Sequence, residues 1–375
     1  MHTLQDYDYV LPSELIAQNP ADPPESCKFL VYTKNLHVVQ DQLFSDISTH
    51  IDPDTLMICN NTKVVKARIA FDKKEIFFLR KIDTYTFEAL VYPWKKFKIG
   101  SAVHITTDIY CTVKEITYTW RILTSNKPIE DILETLGQMP LPPYITYDQT
   151  KSDPYQPIFA EKKWSVAAPT ASLHFSQSLL DELQNIGVDI TYTTLHVGLG
   201  TFKQVDVNNI QEYDIHDELC TIDYTLFERI AQQKINKKPV LAIWTTVTRT
   251  LESLPYVWKT HKEQFIEKYI ISDRTIQFRE MLTSSIPYEQ AKLYILSTEL
   301  WTNNIHFSTK LFLYPGKPFY IIDELITNFH LPKSSLLMLV AAFIGYDEMN
   351  NIYAHAIEHT YKFYSFGDAM WLKHH

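Results

Sequence analysis

The feature that most constrains the fold is a change of periodicity across a proline-rich segment, "GQMPLPPYITYD" at 137–148. Before it, residues 64–125 read as short strands of Val, Ile, Phe, Tyr and Thr at period two, broken at "YPWKKFKIGSA" and near "SNKP". After about residue 155 the pattern alternates. "SQSLLDELQNIG", "TLFERIAQQKIN" and the run after Pro332 read as helices, and "DITYTTLHVG", "PVLAIWTTV" and "TKLFLYPG" as strands. Proline cannot continue a helix or a central strand, so the segment reads as a linker out of a β-rich unit. The expected class is α/β: an α/β layer with a largely parallel sheet, accompanied by a small β-barrel or sandwich.

With 375 residues, 45% of them hydrophobic, the chain can build a large core in two or three domains. No run reaches the roughly 18 apolar residues of a membrane span, and "MHTLQDYDYV" lacks the basic start and apolar centre of a secretory signal. The expected location is the cytoplasm, with no membrane partner. Cys27, Cys59, Cys111 and Cys220 are scattered without CxxC or a neighbouring ligand histidine, so neither a zinc site nor a disulfide framework is indicated.

A net charge of −9 argues against indiscriminate coating of nucleic acid, yet residues 63–100 carry ten Lys/Arg against four Asp/Glu, leaving −15 elsewhere. Lys63, Lys66, Lys95, Lys96 and Lys98 are interleaved there with Phe, Tyr and Trp. Cations neutralise phosphates and aromatics stack on unpaired bases, which makes this a candidate polyanion footprint. Charged outer faces of a solvated β unit explain it equally well.

Chemistry-bearing segments cluster at predicted strand-to-helix transitions. In "TNFHLPKSSLLMLVAAF" polar Thr327, Asn328 and His330 precede an apolar helix expected to start near Pro332, with Lys333 in its first turn. A buried helix start suits an anionic ligand, and a capped core helix with a satisfied histidine is the alternative. "SVAAPTASLHF" sets Thr170 beside His174, and "TLHVGLGTF" sets His196 before Gly198, Gly200 and Thr201, a G-x-G that fits a tight turn as well as a ligand loop. "TTVTRTLES" holds Thr245, Thr246, Arg249 and Glu252, for which a structural Arg–Glu pair is an alternative. In a parallel α/β layer these transitions gather at the carboxyl edge of the sheet.

"NNTKVVKARI", "MPLPPYI", "YQPIFA", "SVAAPTASLHF", "TLHVGLGTF", "YPGKPF", "TNFHLPKSSLLMLVAAF" and "FYSFGDAMWL" occur in the order and spacing of the S-adenosylmethionine:tRNA ribosyltransferase-isomerases of queuosine biosynthesis, which the chain resembles over nearly its whole length. The resemblance implies a small β-barrel (64–152) inserted into an α/β catalytic domain (1–63 plus 153–375); the stretch 254–308 is longer than is usual in the family and is expected to form an extra lobe. It also implies transfer and isomerisation of the ribosyl group of S-adenosylmethionine onto 7-aminomethyl-7-deazaguanine at the tRNA wobble position. The products would be epoxyqueuosine-tRNA, adenine and methionine. S-adenosylmethionine would be a cosubstrate, no metal would be required, and the chain is expected to act as a monomer. Proton abstraction beside the sulfonium needs a general base, for which His174, His196 and His330 are the candidates. Asn61, Arg68, Thr170, Gly198, Gly200, Thr201, Asn328 and Lys333 fall in matching segments as expected substrate or cosubstrate contacts, and Thr245, Thr246, Arg249 and Glu252 are expected contacts from the more divergent "TTVTRTLES".

Some positions depart from the family pattern. Trp244 stands where glycine is usual before "TTSVR", Lys310 replaces an aspartate, and Lys28 and Tyr147 replace arginines. Two other function classes bear on the same residues: a catalytically silent tRNA-binding paralogue, and an S-adenosylmethionine-dependent methyltransferase. The latter usually needs its glycine-rich loop after the first strand, whereas here it falls near 198.

Overall fold

A computed structural model describes residues 3–117, 120–146, 155–198, 205–301 and 303–374. Its strands are β1 (Lys28–Thr33), β2 (Val38–Leu43), β3 (Leu56–Asn60), β4 (Thr62–Val64), β5 (Arg68–Phe71), β6 (Lys74–Lys81), β7 (Thr86–Tyr92), β8 (Ala102–His104) and β9 (Tyr110–Ile116). They continue with β10 (Arg121–Ser125), β11 (Lys162–Ser165), β12 (Asp189–Leu195), β13 (Glu218–Asp223), β14 (Val240–Ile243), β15 (Ile295–Leu300), β16 (Asn304–Thr309), β17 (Glu324–Asn328) and β18 (Ala369–Lys373). The helices are α1 (Ile47–His50), α2 (Ile129–Leu136), α3 (Gln177–Asn185), α4 (Tyr224–Ile235), α5 (Thr245–Lys268), α6 (Asp273–Thr283), α7 (Tyr288–Tyr294), α8 (Ser335–Ile344) and α9 (Tyr346–Glu358).

Ten strands form the main sheet in the order β15-β16-β13-β12-β3-β14-β17-β18-β1-β2. Only its middle is continuously parallel: β12, β3, β14 and β17 run the same way. β13, β16 and β15 pair antiparallel on one flank, and β18 and β2 pair antiparallel with β17 and β1 on the other. The sheet is therefore mixed, which corrects the expectation of a largely parallel one. The reason lies in the connections: a parallel neighbour needs a crossover of a dozen or more residues, and the short links from β1 to β2 and from β15 to β16 permit only hairpins.

β3 and β14 are buried at every residue, because central strands are covered on both faces. α8 is buried nearly all round, as its sequence predicts. Its start differs. Lys333 adopts a left-handed φ of 57°, and Ser334 is the cap, its Oγ accepting from Leu337 N, so Pro332 lies outside the helix. "TTVTRTLES" also departs from expectation: the strand ends at Ile243 and this polar stretch opens α5, buried from Thr245 to Trp258. Thr250 and Ser253 make that possible by donating to carbonyls four residues back (3.0 and 2.7 Å). "TKLFLYPG" is not a strand beyond Thr309, where β16 stops.

The second sheet is antiparallel in the order β5-β6-β7-β10-β9-β8. Its end strands β5 and β8 do not pair, so it is an open half-barrel and not a closed barrel. Ile69, Ile76, Phe78, Phe87 and Leu123 form its own core with Ile132 of α2. Segment 254–308 comprises the end of α5, then α6, α7, β15 and β16, whose two strands extend the main sheet. Among the described residues no helix is long and apolar enough to cross a membrane.

Candidate active site at the carboxyl edge of the main sheet

The four parallel central strands end together, β3 in Asn60, β12 before His196, β14 before Trp244 and β17 in Asn328. Asn60, fully buried, ties three of these ends. Its Nδ2 donates to Leu195 O (3.0 Å) and Thr246 Oγ1 (3.2 Å), and its Oδ1 accepts from Leu195 N and Thr62 N (both 3.1 Å). Asn60 was not among the sequence candidates, although an amide closing the apolar run "LMIC" is a usable signal. Neighbouring Asn61 accepts from Thr194 Oγ1 (2.7 Å) and donates to Glu161 (3.3 Å). His196 Nδ1 lies 2.9 Å from Thr62 Oγ1, and burial lowers its pKa to about 4.

Asn328 organises the other half of the edge. Gly367 O can only accept, so the amide nitrogen of Asn328 faces it (3.3 Å); the same Nδ2 donates to His174 Nε2 (3.1 Å), and Oδ1 accepts from Thr170 Oγ1 (2.8 Å). His174 thereby carries its proton on Nδ1, which lies 3.2 Å from Cys27 Sγ. The ring packs on Phe44, and burial pulls its pKa down to about 4. His174 is thus a neutral histidine whose nitrogens are both engaged, one layer behind Asn328.

His330 lines a small cavity with Thr170, Trp244, Asn328 and Ser334, of about 30 Å³. Its Nε2 is 2.9 Å from Thr327 Oγ1, its backbone N donates to Tyr353 Oη (2.9 Å), and its carbonyl accepts from Tyr9 Oη. Burial holds its pKa down near 3, so the imidazole is neutral. The segment Tyr7 to Tyr9 closes over this loop: Lys333 N donates to Tyr7 O (2.9 Å), and Lys333 Nζ pairs with Asp8 (2.8 Å). Lys333 therefore faces Asp8. The role of "DYDY" was not legible, because nothing local in it signals a partner more than 320 residues away.

The family sequence model described as "Queuosine biosynthesis protein" matches residues 4–372. The chain is 37% identical to an S-adenosylmethionine:tRNA ribosyltransferase-isomerase from a Sulfurihydrogenibium species, over 98% of both chains. It is 36% identical to the enzyme of that name from Halothermothrix orenii, again over 98% of each, and 34% identical to that from Thermosipho africanus, over 98% of this chain and 99% of the relative. The chain belongs to this family. Its fold also resembles the crystal structure of S-adenosylmethionine tRNA ribosyltransferase from Thermotoga maritima, with a TM-score of 0.51 and 25% identity over 98% and 99% of the two chains.

The departures from the family pattern acquire a physical meaning in the structure. Trp244 has φ 85°, the left-handed region that favours glycine, so the backbone keeps the glycine conformation while bearing an indole. That indole is 2% exposed and lines the cavity; its Nε1, like the adjacent Thr245 Oγ1, has no hydrogen-bond partner among the described residues. Lys310, where the family usually has an aspartate, pairs with Asp214 (3.0 Å).

Other candidates lie outside the cluster. Arg249 forms a buried ion pair with Glu218, not Glu252, and also donates to Leu311 O (3.1 Å). Glu252 accepts from the backbone N of Tyr320, Ile321 and Ile322 (2.6–3.0 Å), and burial raises its pKa to about 7. Gly198 has no positive φ, and Gly200 and Thr201 lie outside the described residues, as does Tyr147. Arg68 sits in the second sheet, paired with Glu75 (2.8 Å), on the wall of a groove of about 690 Å³ between that sheet and Pro140 to Pro143. Exposed Trp94 stands on the same wall; Lys63, Lys66, Lys95, Lys96 and Lys98 are all exposed.

Proposed function

We propose that this chain transfers the ribosyl group of S-adenosylmethionine to 7-aminomethyl-7-deazaguanine at the tRNA wobble position and isomerises it, releasing adenine and methionine. The single observation that carries the reading is full-length identity of 34–37% with relatives bearing the transferase-isomerase name. The same observation weighs against a silent paralogue and against a methyltransferase.

In this reading the cosubstrate binds at the carboxyl edge. His330, which lines the cavity, is the residue that meets it and moves a proton. His174 acts through Asn328 as a positioning residue, since both its nitrogens are already engaged. The sulfonium's own charge stabilises a carbanion beside it, so the step needs a base and no metal. A cavity of about 30 Å³ holds roughly one or two water molecules, whereas a ligand of this size needs several hundred Å³. Binding therefore requires the Trp244 indole, the Tyr7 to Tyr9 segment or both to move. The half-barrel, inserted between 64 and 152, contributes Lys95, Lys96 and Lys98 to tRNA binding by a single copy of the chain acting in the cytoplasm.

The test is a chromatographic assay of S-adenosylmethionine with tRNA bearing the aminomethyl-deazaguanine. Adenine and methionine in equal amounts are expected. Formation of S-adenosylhomocysteine instead would establish methyl transfer, and tRNA binding without cosubstrate consumption would establish the silent paralogue.

A further inference from the structure

On the far flank of the main sheet from β15, the edge strand β2 meets the last turn of α9. Asp41 of β2 and His355 and His359 of that helical end bring one carboxylate oxygen and two imidazole nitrogens within 4.8 Å of one another. We propose that these three side chains form a binding site for one divalent ion of the zinc class, which clips the edge strand to α9.

Three features of the cluster support the assignment. The histidines stand four residues apart, so they project from one helix face, and their rings are stacked at 3.8 Å between centroids. His359 Nδ1 lies 2.9 Å from His355 O; a carbonyl can only accept, so Nδ1 carries the proton and the lone pair is left on Nε2. His355 Nε2 lies 2.9 and 3.0 Å from the two oxygens of Asp41, and Tyr361 Oη donates to the same carboxylate (2.5 Å), holding it in place. Metal-ligating groups are oriented by such outer contacts.

An ion would sit between His355 Nε2 and the Asp41 carboxylate in place of their hydrogen bond, with the His355 ring proton on Nδ1. Tetrahedral zinc with ligand bonds near 2.0–2.1 Å separates its donors by roughly 3.3 Å. The longest separation must then close by at most about 1.5 Å, and His359, which is exposed, has room to do so. Two imidazoles and one carboxylate suit zinc, cobalt, nickel or copper, and leave a fourth position to water. Magnesium and calcium require mostly oxygen donors. Lys28, beside the cluster, is engaged by His359 O (2.6 Å) and Thr360 Oγ1 (3.2 Å) and forms no ion pair with Asp41. Its charge opposes the ion, so removing it should tighten binding.

The experiment is calorimetric titration of the full chain, stripped by chelator, with zinc chloride, with cobalt absorption as a spectroscopic check. One ion per chain is expected. Magnesium and calcium should give no heat, and His359→Ala and Asp41→Ala should each weaken zinc at least tenfold, while Lys28→Gln strengthens it. Cobalt should show ligand-field bands that H359A loses. His359 is exposed, so H359A should keep the wild-type thermal unfolding profile, which is measured alongside. Absence of zinc uptake, or unchanged affinity in H359A, would show that the cluster is only a hydrogen-bonded contact between Asp41 and His355.

Discussion

At the carboxyl edge of the main sheet, Asn60, Asn328, His174 and His330 are buried and each is held by hydrogen bonds to its neighbours, whereas Lys95, Lys96 and Lys98 of the second sheet stand exposed to water. The two regions suit different ligands. Buried groups at distances near 3 Å hold a geometry that salt does not screen, which recognition of a small reacting molecule requires. Exposed cations hold no geometry but release counterions when they meet phosphates, giving affinity that depends on salt. Three cations of the second sheet are already neutralised there, Arg68 by Glu75, Arg80 by Glu88 and Lys81 by Glu130, whereas Lys95, Lys96 and Lys98 of the loop after β7 have no carboxylate partner among the described residues.

The largest expected effect separates the regions outright. His330→Ala should lower adenine release by about a hundredfold or more, the scale of a lost proton-transfer group, while tRNA affinity stays within a factor of two. A fall of many degrees in the unfolding midpoint with turnover intact would make His330 a core residue only. Next in size, charge reversal at Lys95, Lys96 and Lys98 together should weaken tRNA binding. It should also flatten the slope of log affinity against log salt by about 2–3, one phosphate per lysine. An identical slope would move the footprint to the main sheet and abolish the contrast.

Trp244→Gly sharpens the account of the buried region. Loss of a buried indole costs about 3–5 kcal/mol, and relief of the positive φ returns about 1–3 kcal/mol. Denaturant unfolding should therefore show a modest net loss of stability, while calorimetry shows S-adenosylmethionine binding several-fold tighter. Weaker binding would make the indole a wall of the site and not an obstruction.

The smallest expected effect is on pH. His174 and His330 have folded pKa values near 4 and 3, below the usual value of about 6.5 for histidine. The unfolded chain then binds more protons below pH 6.5, so stability is fully present above 6.5 and is lost as pH falls towards 4. Urea midpoints between pH 7.5 and 4.5 should show this decline, and His174→Phe should make it shallower. An unchanged pH dependence in that variant would mean that His174 is already charged in the fold.

Much of the fold was legible because it follows from local pattern. α3 begins after Ser176 and α4 after Asp223, both serving as caps, as their polar-to-apolar transitions suggest. The polar start of α5 was not legible, since Thr250 and Ser253 become buried only by bonding within their own helix. Of the candidate site, Thr170, Asn328 and His330 were found and do share a cavity. Arg249 and Glu252 were found as residue types but misjudged as partners of each other, because Glu218 and the backbone at 320–322 approach them from distant segments.

The sequence by itself determined the ordered segments that identify the family, the burial of α8 and the basic stretch at 63–100, because each depends on residue type and spacing along the chain. Only the tertiary structure decided that the sheet is mixed, that Trp244 carries a glycine's backbone, that His174 is engaged while His330 lines a cavity, and that Asp41 meets His355 and His359. The physical reason is range. Hydrogen bonds across 154 or 314 residues depend on where strands are placed in a sheet, and no local preference encodes that placement.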